Sequence, residues 1–211
     1  MDHAMSQLRK NVQGEEFDYP YLMSYLQDYS KPRDKISRYL KNQDIIRVKK
    51  GLYVFGEEYR KGFVSLEVLA NLIYGPSYIS LEYALGYYGL ILERVEQVTS
   101  MTTQKTKAFD TPLGGFAYYH LPDLIYEVGI IQQPIDEFRH CLIASPEKAL
   151  ADLLARQKKI KSLQDLETFL WEDIRLNESF LREVNKNRFK EIAKAYHHPS
   201  VDLLGELVRK K

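Results

Sequence analysis

The residues of this chain best suited to chemistry are cations. Between Lys31 and Lys50 stand eight basic residues, Lys31, Arg33, Lys35, Arg38, Lys41, Arg47, Lys49 and Lys50, against two acids, Asp34 and Asp44. That segment carries +6 in a chain whose total is +1, so the remainder sums to −5. The chemistry open to such a cluster is recognition of a polyanion: lysine supplies a point charge for phosphate, and arginine a planar fork that also fits a guanine edge. A near-neutral protein with its positive charge gathered in one stretch has a local electrostatic footprint. The plain alternative is a solvated helix face followed by an ordinary hairpin.

The elements that must position these charges follow from the same stretch. Ser30 reads as an N-cap and Pro32 falls in the first turn of a helix. At about 100° per residue, Pro32, Ile36, Tyr39, Leu40 and Gln43 share one side, and Lys31, Asp34, Ser37, Arg38 and Lys41 the other. A helix of about 13 residues is roughly 20 Å long, enough to lie in a major groove. An alternating run, Ile46 to Lys49, a Lys-Lys-Gly turn at 49–51 and a second run, Leu52 to Phe55, predict a β-hairpin with a basic tip. Upstream, Tyr21, Leu22, Tyr25 and Leu26 predict a supporting helix from Asp18 or Tyr19 to Tyr29, joined by the short Tyr29-Ser30-Lys31 turn. Helix, turn, helix and basic hairpin make an expected winged helix-turn-helix. Arg38 and Lys41, with Ser37 beside them, are the expected groove contacts. Lys31, Arg33, Lys35, Arg47, Lys49 and Lys50 complete the expected DNA-binding set, mostly on phosphate, which positions a protein without specifying sequence.

With 211 residues, 45% of them hydrophobic, the chain can bury one large core or two small ones. Tyrosine is over-used, with sixteen copies against one tryptophan; its hydroxyl can bond phosphate, but most of these tyrosines are expected to line the core. The single cysteine, Cys141, excludes an internal disulfide and a cysteine-based zinc site. It sits in the apolar run 141–144 and is expected in a buried strand. With no secretory h-region and no apolar run of spanning length, the expected setting is cytoplasmic, with no membrane partner.

Residues 1–16 are polar and unpatterned, and Met1–Met5 reads as a flexible start without a role. Glu57–Gly62 reads as a charged linker, dividing an expected domain 1–62 from a second, 63–211. In the second, Val64, Val68, Leu69, Leu72 and Ile73 form a helical stripe broken by Gly75-Pro76-Ser77. Ser80 is expected to cap a helix with Leu81, Ala84, Leu85 and Tyr88 inward, ended by Gly89. Strands are expected over 95–103, 107–111, 116–121, 124–131 and 138–143, around a turn at Pro112 to Gly115. Ser145-Pro146-Glu147 starts a further helix. From about 158 the pattern is helical, with a near capping box at Ser162 to Asp165. The expected class is therefore α+β with a helical C-terminal tail.

Enzymatic constellations are poorly represented. His197-His198 has no cysteine or carboxylate at ligand spacing. Gly114-Gly115 lies between expected strands, not before a helix, and no Gly-x-Ser-x-Gly occurs. A PD-(D/E)xK nuclease would use Pro122-Asp123, yet Asp136-Glu137-Phe138-Arg139 and Glu147-Lys148 both miss the acid-x-lysine spacing. The expectation is no enzyme, no cofactor and no metal.

Several motifs in order resemble the AbiEi antitoxin family. They are Tyr74 to Leu85 (YGPSYISLEYAL), Tyr88-Gly89-Leu90-Ile91, Val98 to Thr103 (VTSMTT), Gly115 to His120 (GFAYYH) and Ala144 to Asp152 (ASPEKALAD). Ile36 to Leu40 and Arg47 to Tyr53 are similar to its winged-helix part. The likeness spans about residues 20–157, with Leu92 standing where proline is expected and 158–211 matching least. It implies an antitoxin and autorepressor of a bicistronic operon used in abortive phage infection. Its winged helix would bind promoter inverted repeats in double-stranded DNA. Its second domain would contribute to repression and to neutralising a nucleotidyltransferase-type toxin, without requiring direct binding. The runner-up reading is a stand-alone repressor without a toxin. The motif residues themselves, a turn at Gly75-Pro76-Ser77, caps at Ser80 and Ser145 and a stop at Gly89, are expected to serve the fold more than a partner.

Overall fold

The computed structural model describes residues 2–93 and 95–210. The first part of the chain runs α1 (His3–Asn11), β1 (Glu16–Asp18), α2 (Tyr19–Ser24), α3 (Pro32–Lys41), β2 (Ile45–Lys49) and β3 (Leu52–Phe55). The strands form an antiparallel sheet in the order β1-β3-β2.

Three expectations are corrected here. Residues 1–16 are not a structureless start: Asp2 caps α1 by accepting from the Ala4 N–H at 3.1 Å, and Ala4, Met5 and Leu8 are buried. Met1 lies outside the described residues. Ala4, Met5 and Leu8 span barely one turn among polar neighbours, too little for a helical stripe to stand out. Arg9 is buried too, held by Glu15 at 2.7 Å and the carbonyls of Val12 and Gly14, with Phe55 under its guanidinium. Second, Ser30 does not cap α3. Lys31 occupies the N-cap position with no side-chain hydrogen bond, and Pro32 takes the first turn. α2 is also shorter than expected, although Leu26 beyond its end is fully buried.

α3 buries Ile36 and Tyr39 and half-buries Leu40. It ends where Gln43 adopts φ of 61°. The hairpin turns at Lys50-Gly51, where φ of +88° at Gly51 favours glycine. All four residues of β3 are buried, because both of its faces are covered. Tyr53 and Phe55 join a core with Met5, Leu8, Phe17, Leu22, Leu26, Ile36, Tyr39 and Ile45. Leu52 and Val54, with Val48 of β2, belong to the other core.

That larger core lies around a six-stranded mixed sheet. After a 3-10 turn (Glu57–Tyr59) come α4 (Leu66–Ile73), β4 (Ser77–Ile79), α5 (Leu81–Tyr87), β5 (Val98–Thr102), β6 (Lys107–Thr111) and β7 (Gly114–His120). There follow α6 (Asp123–Tyr126), β8 (Ile130–Pro134), β9 (His140–Ala144) and α7 (Pro146–Ala155). The strand order is β6-β7-β5-β4-β9-β8, with β5/β7 and β4/β9 parallel. Strand β4 was not expected, since three residues after a Gly-Pro break give no alternation to read. The expected strand 124–131 is instead α6 followed by the start of β8, and Leu72, placed on the inward stripe, is 49% exposed.

The tail is helical: α8 (Leu163–Thr168), a π-helical turn (Phe169–Asp173), α9 (Phe180–Glu183), α10 (Lys186–Tyr196) and α11 (Pro199–Lys210). The capping box at Ser162 and Asp165 is present in full. The chain is thus α+β with a helical tail.

A buried polar cluster ties the tail to α7. The Asp152 carboxylate accepts from Tyr78 at 3.0 Å, Ser80 at 2.6 Å and Tyr196. Lys148 donates to Tyr196 Oη at 2.9 Å and to the Ile125 carbonyl at 2.7 Å, with Asp152 at 3.8 Å. Ser80 therefore stands at the N-cap position of α5 without capping through its side chain, because its hydroxyl is turned to Asp152. Burial pushes the Lys148 amine down to about 8, partly offset by Asp152. No helix among the described residues is long and apolar enough to cross a membrane.

Candidate nucleic-acid interface

The apolar side of α3 faces α1, α2 and the hairpin, so its other side is left to solvent. Lys31, Ser37, Arg38 and Lys41 are all exposed on it, and Arg33 is exposed at its flank, in line with Leu40. Ser37 has its hydroxyl on the Arg33 carbonyl at 3.1 Å, the bond a serine makes back along its own helix. Arg47 is exposed on β2, with its guanidinium 5.9 Å from the Tyr53 ring centre, and Lys50 is exposed at the hairpin turn. Among the described residues, none of Lys31, Arg33, Arg38, Lys41, Arg47 and Lys50 makes an ion pair. At the start of α3 lies an open depression of about 400 Å³, lined by Tyr29, Ser30, Lys31, Asp34, Lys35 and Arg38. With no side chain capping the first turn there, its backbone N–H groups add to the pull on an anion.

Two members of the expected set are already engaged inside the chain. Lys35 pairs with Asp2, and its ammonium lies 4.7 Å from the Tyr29 ring centre and 5.5 Å from that of Tyr39. Lys49 donates to the carbonyl of Ile73, the last residue of α4. Burial lowers the pKa of the Lys49 amine, and the charge of Lys107 lowers it further.

That neighbour extends the basic surface beyond what the sequence pointed to. Lys105 and Lys107 are exposed on β6 and the turn before it, and the Lys107 ammonium lies 4.9 Å from the Phe109 ring centre. A signal was present in Gln104-Lys105-Thr106-Lys107, two cations without an acid. Nothing in the sequence said that β6 would come beside the hairpin tip.

The acids weighed for a nuclease lie apart in their bonding. Asp123 is exposed at the start of α6. Asp136 is bound to Arg139 at 2.6 Å. Glu147 is buried, accepting from the Asn185 N–H at 2.9 Å with Arg188 at 3.5 Å. Among the described residues no group of three histidines, cysteines or acids is placed to hold a metal ion. Cys141 is buried in β9, and its thiol is pushed up to about 12, chiefly by burial.

No protein-family profile and no curated protein sequence matches the chain. Among solved structures, it is similar in fold to the Rv2827c protein from Mycobacterium tuberculosis, with a TM-score of 0.59 and 12% identity over 96% of this chain and 79% of that one.

Proposed function

We propose that this chain is a winged-helix DNA-binding protein that represses its own bicistronic promoter and serves as the antitoxin of an AbiEi-type system. The observation that carries the DNA-binding part is the split of α3. Its apolar side is buried through Ile36 and Tyr39, while Lys31, Arg33, Arg38 and Lys41 stand exposed and unpaired among the described residues. The order helix-strand-helix-helix-hairpin, with β3 between β1 and β2, supports the winged-helix reading. In this reading Arg38 and Lys41 enter a major groove, Lys31, Arg33, Arg47 and Lys50 hold phosphates, and Lys105 and Lys107 add to the basic surface beside the hairpin. Lys35 and Lys49 hold the scaffold.

The antitoxin part rests on the ordered motifs from Tyr74 to Asp152. The partner would be a nucleotidyltransferase-type toxin, countered without a required direct complex. A stand-alone repressor is the second reading, favoured by the fact that Tyr78, Ser80, Lys148 and Asp152 of those motifs bond to one another and to the tail. The test is Arg38→Ala on a duplex enriched from a random pool by the wild type. Binding should fall by about 1–3 kcal/mol on that duplex and far less on random DNA. Equal losses on both would make Arg38 a phosphate contact. For the antitoxin part, folded Arg38→Glu supplied from an unrelated promoter should still protect cells expressing the toxin encoded beside it. Loss of protection would route neutralisation through DNA.

A further inference from the structure

Asp2 is an acid set against a face of cations, and its bonds give it a specific task. Its carboxylate accepts from the Ala4 N–H at 3.1 Å, accepts from the Tyr39 hydroxyl at 2.9 Å, and pairs with Lys35. Tyr39 and Lys35 both belong to α3, so one side chain fixes the start of α1 to two successive turns of α3. Lys35 is sandwiched further by Tyr29 and Tyr39, and its side chain is only 11% exposed. Lys35 also lines the depression at the start of α3. A protein built only to attract phosphate would leave that ammonium free. Here a phosphate approaching Lys35 meets a carboxylate already in place.

We propose that Asp2 is a positioning residue for DNA reading, which sets α3 against α1 through Tyr39 and withholds Lys35 from phosphate. This rests on the DNA-binding reading above. Its consequence is discrimination: Asp2 removes one sequence-independent contact and fixes the helix that carries Arg38 and Lys41. Burial pushes the Asp2 carboxyl up, but the bonds from Lys35 and Tyr39 pull it below the usual carboxylate range. The acid therefore stays charged through neutral pH.

The experiment uses the full chain, with Asp2→Asn, Lys35→Met, the double variant and Asp2→Ala. Asparagine retains an acceptor for Tyr39 and for the α1 cap, so Asp2→Asn removes charge and little else. Affinity is titrated against salt on the wild-type-enriched duplex and on random duplex. Lys35→Met should leave the log–log salt slope unchanged. Asp2→Asn should steepen it on random DNA by about 0.9, one added phosphate contact, and lower the enriched-to-random ratio. The double variant should restore the wild-type slope. A slope flattened by about 0.9 in Lys35→Met would put Lys35 on phosphate in the wild type and overturn the withholding role.

Hydrogen exchange of the α3 amides, read without DNA, decides the positioning role independently. Asp2→Ala should speed their exchange several-fold, and Asp2→Asn should leave it near wild type. Unchanged exchange in Asp2→Ala would overturn it. If no duplex is enriched by the wild type, the DNA-binding reading fails, while the exchange result still stands for or against the Asp2 tie.

Discussion

Lys49 and Lys50 are neighbours in sequence and opposites in role. Lys49 is half-buried, with its ammonium on the Ile73 carbonyl, while Lys50 is exposed at the turn. Lys49 ends β2, just past a register irregularity that begins at Arg47, and Lys50 already belongs to the turn, where the chain leaves the packed strands. Lys50→Ala should therefore flatten the salt dependence of DNA binding by about 0.9 in log–log slope. Lys49→Ala should leave the slope unchanged but lower the urea midpoint, because it leaves the Ile73 carbonyl without its donor. Equal slopes for Lys50→Ala and the wild type would take the hairpin tip off the DNA. Counting charge finds the cluster, but not which of its members face outward. Lys35 shows the same limit from another side. On the helical wheel it falls with neither stripe, and its partner comes from a helix too short and too polar to be read.

At the scale of elements, the angle between α3 and the hairpin is fixed by backbone contact. The Gly56 N–H donates to the Asp44 carbonyl at 2.8 Å, and a Cβ on Gly56 would stand 1.7 Å from the Gln43 carbonyl oxygen. Backbone atoms cannot yield as a flexible side chain does. Gly56→Ala should cost about 3 kcal/mol in a urea titration, the upper range for overpacking, and loosen α3. A loss under about 1 kcal/mol would show that the junction can open at little expense.

The second element-scale prediction concerns the α7–tail contact and its pH dependence. Lys148 has a folded pKa of about 8, below its ordinary 10.5, so the folded chain binds fewer protons than the unfolded one between those values. Stability contributed by this group is thus lowest below about pH 8 and rises as pH increases through that window. Tyr78 and Tyr196, whose phenols are raised by burial and by Asp152, oppose the rise only above the ordinary tyrosine value of 10.0. The raised Cys141 thiol opposes it above the ordinary thiol value of 9.0. Urea midpoints measured from pH 8 to 9 should climb in the wild type and lose that climb in Lys148→Met. A parallel climb in both would assign it to other groups. This region was legible as the motif Ala144 to Asp152 and as a cap at Ser145, whose hydroxyl accepts from the Lys148 N–H at 3.3 Å. That Lys148 and Asp152 would be buried, and would meet Tyr78, Ser80 and Tyr196, depends on chain separations no local pattern contains.

Across the whole molecule, the change of composition at 57–62 marks a turn and loop in the chain, while the packing crosses it. Val48, Leu52 and Val54 sit in the larger core, and Arg139 reaches from the β8–β9 turn to Glu16 at 2.9 Å and to the Phe63 carbonyl at 3.1 Å. Calorimetry of the full chain should show one unfolding transition. Removing residues 1–62 should strip apolar cover from the rest and leave it aggregating or partly unfolded. Two well-separated transitions, or a folded 63–211 fragment, would show that the larger core closes without the hairpin. Strand periodicity made the hairpin legible, but not that β3 would be covered on both faces, since Leu52 to Phe55 reads the same with one face buried or two.

Under the proposed DNA-binding role, that doubly covered strand bears on how the protein could acquire a new target. A reading head attached by a loose tether can be exchanged whole, by recombination or by an engineer, because its neighbour does not sense the difference. Here any transplanted head must bring a hairpin whose back fits another unit's core, so most exchanges would be rejected as misfolded. If α3 reads DNA as proposed, new sequence preferences would be left to point changes on its outward side, at the exposed Ser37, Arg38 and Lys41.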